Sequence, residues 1–376
     1  MALTLEQLRR YAVARTLFTP TTLARAIHRL GFVQADPIRA PARAQDLILR
    51  HRVKTYHAGD LERRYPQLGI EEDFFVNYGF LPRATQALMH PRTPRAAWPP
   101  ERHTQAAAVL DYVRAHGVVH PRQVDAHFAH GSALNWFGGK SNVSTQLLDD
   151  MHHRGLLRIA GRVSGVRTYA AMPSSSSSST PVIKGEGEAE AAPAHHSPMD
   201  ALVDVIVGLY APLPERSLGE LIGYLRGGAP QWREHRQAAF QRAKARLPSA
   251  QVDGITWYWP AGESPASRRH APDDGVRLLA PFDPVVWDRR RFEWLWGWAY
   301  RFEAYTPAVK RVRGYYALPL LWRDQVIGWG NVAVKGEVLN VDLGYVSGHA
   351  PQEAGFAAAL SQELAALRHF LGLPAA

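Results

Sequence analysis

The stretch KSNVSTQLLDDMHHRGLLRIAGRVSGVRTYA, residues 140–170, decides the fold class. Four of its apolar residues recur at helical spacing and predict one buried helix face: Val143, Leu147, Leu148 and Met151. Gly155 stands where a helix should stop. The segments LLRIA and VRTYA then flank a turn between Gly161 and Gly165, and they predict two short strands. A helix followed directly by a hairpin is the second half of a winged helix.

Two more helices are expected before that stretch. The segment AAAVLDYVRAHG ends at Gly117, and HPRQVDAHFA follows it closely. Residues 101–172 therefore predict three helices and a hairpin, which is the winged-helix pattern. In that motif the third helix usually enters the major groove of DNA, and the hairpin touches an adjacent groove.

Weaker copies of the pattern lie on both sides. In residues 1–100 a capping box at Thr4 opens one helix, and a second ends at Gly31. In residues 199–265 a helix is followed by a capping box at Ser217 to Glu220, a basic helix and a strand pair around an Asp-Gly turn. We therefore predict three tandem winged-helix units.

Two segments fall outside these units. Residues 173–198 are rich in serine and nearly free of large apolar residues, which predicts a flexible linker. From residue 266 to residue 376 the apolar period shifts towards two and aromatic residues are frequent, which predicts a β-rich domain with a terminal helix. Trp294, Trp296 and Trp298 alternate, so we expect them on one face of a strand or loop, in the core. The predicted fold class is α+β.

The composition favours a polyanionic partner. Lys and Arg number 44 against 34 Asp and Glu, which gives a net charge of +10 and a pI near 9.9. A basic surface without a specific partner is the alternative. The chain has no cysteine, which excludes disulfides and thiolate chemistry and fits a reducing cytoplasm. No apolar run is long enough to span a membrane. The histidines lack metal-binding spacing, so neither a metal nor a cofactor is expected.

The stretch GFVQADPIRAPARAQDLILRHR, residues 31–52, holds the candidate for chemistry. Pro37 disfavours a helical conformation at Asp36, so the segment should be extended, and Gln34 and Asp36 should then project to the same side. An Asp before Pro is also common in ordinary turns, and spacing alone leaves both interpretations open. Asp283, flanked by prolines in a turn, is expected to be structural. Cations that could follow DNA phosphates come next along the chain: Arg39, Arg43, Arg50, Arg52 and Lys54. A solvated helix face is their alternative.

Three segments together resemble the AlkZ/YcaQ family of winged-helix DNA glycosylases, some of which unhook interstrand crosslinks. They are GFVQADPIRAPARAQDLILRHRV, NWFGGKSNVSTQLLDDMHHRGLLRIAGRVSGVRTYA and the long string that begins LLAPFDPVVWDRR. The resemblance implies three tandem winged helices and a C-terminal β-barrel-like domain. The family's catalytic motif is Gln, an apolar residue, then Gln or Asp, and here it reads Gln34, Ala35, Asp36. The segments DFFVNYGFLPR and GWGNVAVKGEV depart from the family pattern, which indicates a divergent subfamily.

The resemblance implies a DNA glycosylase that hydrolyses the N-glycosidic bond of alkylated purines such as N7-alkylguanine, with crosslink unhooking as an extension. Asp36 and Gln34 would be catalytic. We expect a monofunctional enzyme because no lysine shares the motif, with lyase chemistry through the nearby Lys54 as the alternative. Its partner would be double-stranded DNA carrying alkylated or crosslinked purines, bound by a monomer in the cytoplasm at the nucleoid. Further DNA contacts are expected at Lys140, Arg167, Lys310, Arg311 and Arg313. The competing hypothesis is a non-enzymatic winged-helix DNA-binding protein or regulator.

Overall fold

The computed structural model describes residues 2–94, 96–129, 131–134, 140–173 and 197–374. It is a mixed α+β fold. Most of the predicted linker, residues 174–196, lies outside the described residues, and its last two positions already cap and begin a helix. Within the described residues, no helix combines the length and the apolar character needed to cross a membrane.

The first part of the chain contains five helices and one three-stranded sheet. The helices are α1 (Leu5–Thr16), α2 (Leu23–Leu30), α3 (Ala44–Leu49), α4 (Asp60–Arg64) and α5 (Arg83–Met89). The strands are β1 (Val33–Gln34), β2 (Ile70–Phe74) and β3 (Tyr78–Pro82), in the order β1-β3-β2. The predicted capping box at Thr4 is present, and Gly31 ends α2 with a φ of 74°.

The next two parts repeat that strand order. The second comprises α6 (Pro100–His116), β4 (Val118–Val119), α7 (Pro121–Phe128), β5 (Ser132–Leu134), β6 (Lys140–Asn142), α8 (Val143–His153), β7 (Leu157–Val163) and β8 (Val166–Ala171). The third comprises α9 (Pro198–Tyr210), β9 (Leu213–Pro214), α10 (Glu215–Gly228), α11 (Arg236–Arg246), β10 (Ser249–Val252) and β11 (Ile255–Tyr258). Their three-stranded sheets have the orders β4-β8-β7 and β9-β11-β10. In all three parts a two-residue strand after a helix pairs with the last strand of a hairpin.

The capping box predicted at Ser217 is wrong. Helix α10 begins two residues earlier, after Pro214, and Ser217 is buried inside its first turns. Pro214 is the N-cap residue with an extended ψ of 148°, and the acidic Glu215 in the first turn favours a helix start there, before the serine.

The C-terminal part is an open sheet flanked by two helices. It consists of β12 (Val276–Leu278), α12 (Arg289–Trp296), β13 (Leu318–Trp322), β14 (Gln325–Lys335), β15 (Val338–Tyr345) and α13 (Ala354–Phe370). The strands run in sequence order as a curled half-barrel. Trp294 and Trp296 lie in α12, so the predicted strand or loop there is wrong. The Asp288 side chain caps this helix by accepting from the N–H groups of Arg290 and Arg291, and Gly297 ends it.

One buried arginine ties the first three parts together. The Arg92 guanidinium donates to the Asp73 carboxylate at 2.9 Å and to the Phe74 carbonyl at 2.7 Å. It also donates to the carbonyl of His153 at 3.0 Å and to that of Gly228. The Arg92 side chain is 0% exposed, so water cannot reach its N–H groups. The acceptors that satisfy them must come from the protein, and each of the three parts supplies at least one.

Candidate active site

Strand β1 carries the Gln34–Asp36 motif to the surface of a cavity. Gln34 pairs with Gly79 of β3, and the Ala35 N–H donates to the Tyr78 carbonyl at 3.0 Å, which extends the pairing by one residue. A Cβ at Gly79 would overlap the carbonyl oxygen of Val33 and the ring of Phe32. Glycine therefore permits the close approach that fixes the direction of the strand end.

Asp36 closes a small turn with one of its oxygens. The Ile38 N–H donates to Asp36 Oδ1 at 2.9 Å, and the Asp36 N–H donates to Gln45 Oε1 at 3.3 Å. A carboxylate that accepts from the backbone two residues further on has little rotational freedom. Within the described residues Oδ2 accepts no hydrogen bond, so it is available to a ligand.

Burial makes Asp36 more basic than an ordinary aspartate. Partial burial raises the pKa of its carboxyl, and the hydrogen bond from Ile38 only partly offsets this. The carboxylate charge also acts on its surroundings: after burial itself, it is the largest cause of the raised pKa of Tyr316. The Tyr316 hydroxyl is buried and has no hydrogen-bond partner in the described residues. Asp36 therefore lies where a charge is weakly screened.

Gln34 is oriented by a tryptophan from the C-terminal part. Trp287 Nε1–H donates to Gln34 Oε1 at 2.5 Å, and Gln34 is only 5% exposed. The Trp287 ring is itself held between Tyr210 and Tyr224, with centroid distances of 5.3 and 5.9 Å. Because the amide oxygen is occupied, the amide NH2 group remains as the donor that Gln34 can offer a ligand.

Both motif residues line one cavity of about 670 Å³. Its wall combines the motif, the turn between β2 and β3, the β7–β8 hairpin and aromatic residues of the C-terminal part. The lining residues are Gln34, Ala35, Asp36, Pro37, Arg43, Gln45, Asn77, Tyr78, Arg162, Gly165, Arg167, Phe282, Phe302 and Tyr305. Two of them, Asn77 and Tyr78, belong to the segment DFFVNYGFLPR, so the departure from the family pattern falls on the cavity wall.

The cations of the cavity are paired with carboxylates. Arg162 and Arg167, from the β7–β8 hairpin, both bind Glu72. The Arg167 guanidinium also lies 4.5 Å from the centroid of the Tyr78 ring. The third cation, Arg43, forms an ion pair with Glu62. All three side chains keep partial exposure, so they could contact phosphates at the rim without leaving a buried charge unpaired.

Two of the predicted DNA contacts are wrong. The Arg52 side chain is 0% exposed and binds Asp283. Arg50 is 4% exposed, paired with Glu363 and bonded to the Leu278 carbonyl at 2.9 Å. A buried, paired guanidinium cannot reach a phosphate. The same contacts confirm the structural role expected for Asp283.

The other predicted cations lie at various depths. Arg39, Lys54 and Lys310 are exposed. Arg311 is half-buried beside the Tyr315 ring, and Arg313 lies between the rings of Trp298 and Trp329. Lys140 begins β6, and its side chain lies outside the described residues.

Sequence reasoning missed several residues of the site. Trp287 orients Gln34, and Tyr316 lies within the field of the Asp36 carboxylate, although both are more than 200 positions away in the chain. The cavity rings Phe282, Phe302 and Tyr305 were also missed. Their one sequence signal was the LLAPFDPVVWDRR string and its continuation, which supported the resemblance without indicating which side chains would face Asp36.

The comparisons with known proteins agree with this architecture and place the molecule among DNA repair glycosylases. The family model for DNA glycosylase AlkZ-like proteins matches residues 27–370, and the chain belongs to that family. Among solved structures, the fold is similar to that of the Streptomyces sahachiroi DNA glycosylase AlkZ. The similarity covers 99% of this chain and 98% of that one, with a TM-score of 0.63 and 13% sequence identity, and it concerns the fold. The resemblance found in the sequence is thereby confirmed.

Proposed function

We propose that this glycosylase hydrolyses the N-glycosidic bond of N7-alkylated purines in duplex DNA, and that crosslinks joined through such purines are also substrates. The observation that carries the proposal is the placement of Gln34 and Asp36 on the wall of one cavity, with the amide oriented by Trp287 and one carboxylate oxygen unoccupied.

This arrangement suits a leaving group that is already cationic. An N7-alkylated purine departs without a general acid, so one carboxylate is enough. Asp36 would stabilise the positive charge that develops on the sugar and would accept a proton from the attacking water. Gln34, as an NH2 donor, would hold the oxygen of that water and direct its protons towards the carboxylate. General-base assistance of this kind supplies about 10²- to 10⁴-fold in rate.

The aromatic wall supports a flat, cationic base. The rings of Phe282, Phe302, Tyr305 and Tyr78 line the same cavity as the carboxylate. A positively charged purine gains both stacking and cation–π attraction from such rings. The cavity arginines are bound to Glu62 and Glu72, so they repel this base less than free cations would.

The lining also supports a monofunctional enzyme. Lyase chemistry needs an amine that attacks the sugar, and no lysine occurs among the described residues that line the cavity. Lys54, the nearest lysine in sequence to the motif, is exposed and does not contribute to the lining.

We further propose how DNA is held. The three parts with the same strand order would be winged helices, bounded as the sequence predicts and acting in a monomer. Arg39, Arg43, Lys54, Arg167, Lys140, Lys310, Arg311 and Arg313 would contact the backbone. The β7–β8 hairpin already lines the cavity through Arg162, Gly165 and Arg167, so this wing would contact DNA beside the lesion rather than in a distant groove.

Base release from a duplex carrying N7-methylguanine tests the proposal, followed by a nitrogen-mustard crosslink. The wild type is compared with Asp36→Asn, and binding to the same duplex is measured alongside. Release by the wild type alone, with binding retained by both, supports the glycosylase with Asp36 at its centre. Tight binding without release from either substrate would contradict the proposed substrates and favour the non-enzymatic alternative. Borohydride trapping of a covalent DNA complex would contradict the monofunctional assignment.

A further inference from the structure

The most exposed apolar side chains lie in one loop beside the cavity. Among the described residues, the three large apolar side chains with the greatest exposure are Tyr305 at 81%, Val309 at 92% and Val312 at 77%. All three belong to residues 304–314, which we call the 304–314 loop. Apolar groups concentrated at one projecting site mark a contact surface more often than a packing accident.

The loop is held in shape at its base. The Glu303 carboxylate accepts from the backbone N–H groups of Val312 at 3.1 Å, Arg313 at 2.7 Å and Gly314 at 3.3 Å. Arg311 Nε donates to the Thr306 carbonyl at 2.8 Å, which joins the two arms of the loop. The exposure of the valines is therefore a property of an ordered segment and does not result from a frayed one.

The position of the loop connects it to the candidate site. Tyr305 lines the cavity that contains Asp36. Its ring lies 6.0 Å from that of Phe302, and Phe302 lies 5.0 Å from Phe282, so an aromatic wall leads from the cavity into the loop. The valines therefore belong to the same loop that supplies Tyr305 to the cavity wall.

The charges around the valines indicate what they meet. Lys310 is exposed between them in the sequence, and Arg311 and Arg313 are half-buried neighbours of Val312 whose guanidinium groups pack on the rings of Tyr315 and of Trp298 and Trp329. An exposed lysine between apolar tips, with two arginines at the base of the loop, is complementary to nucleic acid, where the phosphates lie outside and the base faces inside. An apolar protein surface would not explain the cations.

We propose that the 304–314 loop is a DNA wedge. Val309 and Val312 insert between stacked bases at the lesion, Lys310 binds the flanking phosphate, and the nucleotide released from the stack enters the cavity beside Tyr305. An N7-alkylated base that is not crosslinked is shielded by its stacked neighbours inside a duplex, so extrusion is the route by which it would reach Asp36. This inference rests on the proposed function and states how the substrate reaches that site.

The test uses the full chain and a duplex with 2-aminopurine next to an abasic-site analogue, since 2-aminopurine fluoresces more strongly when it is unstacked. The variant is Val309→Ser/Val312→Ser. Its matched control is Val346→Ser, an exposed valine outside the loop in the same part of the fold. We expect the wild type and the control to raise the fluorescence and the double variant to lose most of that rise, with the dissociation constant of the duplex changed less than about threefold.

A second experiment distinguishes a defect in base extrusion from a defect in cleavage of the glycosidic bond. The double variant should release N7-methylguanine roughly tenfold or more slowly from a paired duplex, and at nearly the wild-type rate when the lesion lies unpaired in a bulge. Lys310→Ala should do the reverse: it should weaken binding and lower the salt slope by about one, and leave the fluorescence rise of the saturated complex intact.

Two results would overturn the wedge. One is a double variant with the wild-type fluorescence rise; the other is an equal loss of release from paired and bulged lesions. The fluorescence signal needs no bond cleavage. A wild type that unstacks the probe but releases no base would therefore contradict the proposed function and leave the wedge supported.

Discussion

Arg52 and Asp283, 231 positions apart in sequence, form a two-pronged ion pair with both side chains fully buried, at 2.8 and 2.9 Å. Arg52 also donates to the carbonyls of Thr16 and Ile48 at 2.8 and 2.6 Å. The pair thus joins the segment that follows the Gln34–Asp36 motif to the turn that precedes Trp287, and so connects the two walls of the candidate site.

Removing one partner of this pair should destabilise the fold strongly. Arg52→Met leaves Asp283 buried without its cation, which costs about 3–5 kcal/mol of unfolding free energy. Urea unfolding followed by tryptophan fluorescence measures the loss. Arg39→Met, at an exposed position, should stay within about 0.5 kcal/mol of the wild type. An Arg52→Met variant as stable as the Arg39 control would show that the ion pair does not hold the fold together.

The exposed and the buried arginines should also differ in DNA binding. Arg39→Ala should lower the slope of log K against log salt by about one, because one phosphate contact is lost. Arg52→Ala, where it folds, should leave the slope unchanged. Titrations of an undamaged duplex at several salt concentrations test this difference, and identical slopes for the wild type and Arg39→Ala would remove Arg39 from the proposed interface.

Asp36→Asn should make the protein more stable while it abolishes activity. Burial raises the pKa of Asp36 in the folded state, so the folded protein binds the proton more tightly than the unfolded chain. The stability cost of the ionised group therefore appears as the pH rises through the interval between the unfolded and folded pKa values, and it persists at neutral pH. Asparagine avoids this cost and can keep the hydrogen bond from Ile38. Thermal unfolding at pH 7 should show a higher midpoint for the variant, and at a pH well below the ordinary aspartate range the difference should vanish.

Trp287→Phe should lower the rate of base release more than substrate affinity. The change removes the hydrogen bond that orients Gln34, and a loss of about 1 kcal/mol in the transition state corresponds to roughly a fivefold slower reaction. Single-turnover release against duplex concentration separates the two quantities. Trp298→Phe is the control, because it loses a comparable indole bond, at 2.9 Å to the Val326 carbonyl, away from the motif. If both variants slow release equally, the orientation of Gln34 is not the cause.

The buried contacts of Asp73 with His90 and Arg92 should make the free energy of unfolding depend on pH in the acidic range. Burial alone would raise the pKa of Asp73, but the hydrogen bond from His90 and the charge of Arg92 outweigh it and hold the pKa below its ordinary range. The folded state therefore binds this proton less readily than the unfolded chain. The stabilisation is complete above the unfolded pKa, near 4, and is lost as the pH falls further. The gap in unfolding free energy between the wild type and Asp73→Asn should narrow from pH 5 to pH 2, whereas a constant gap would contradict the assignment.

Local patterns predicted the local features of this molecule. The extended backbone predicted around the motif is present as strand β1 and its continuation at Ala35, and Gln34 and Asp36 both line one cavity. The capping box at Thr4, the stop at Gly31 and the Asp-Gly turn at Asp253 were equally readable, because each depends on residues within one turn.

The failures have physical reasons of two kinds. Arg52 resembled a surface cation because its partner lies in a distant segment, and only the tertiary fold brings the two together. The strands β1, β4 and β9 have two residues each, too few to show any period. Helix α12 was missed although Asp288 and Gly297 marked its ends, because aromatic residues at alternate positions resembled a strand pattern.

The contacts of Arg92 limit whether one of the repeated parts can fold when it is separated from the others. A module that folds alone can be excised, shuffled or duplicated, since its interior makes no demands on its neighbours. Here one guanidinium takes acceptors from all three parts, so a fragment containing only the first would keep the Asp73 and Phe74 acceptors and lose the carbonyls of His153 and Gly228. The parts repeat one another in strand order, yet we expect the chain to unfold cooperatively in a single thermal transition, because the three parts do not fold independently.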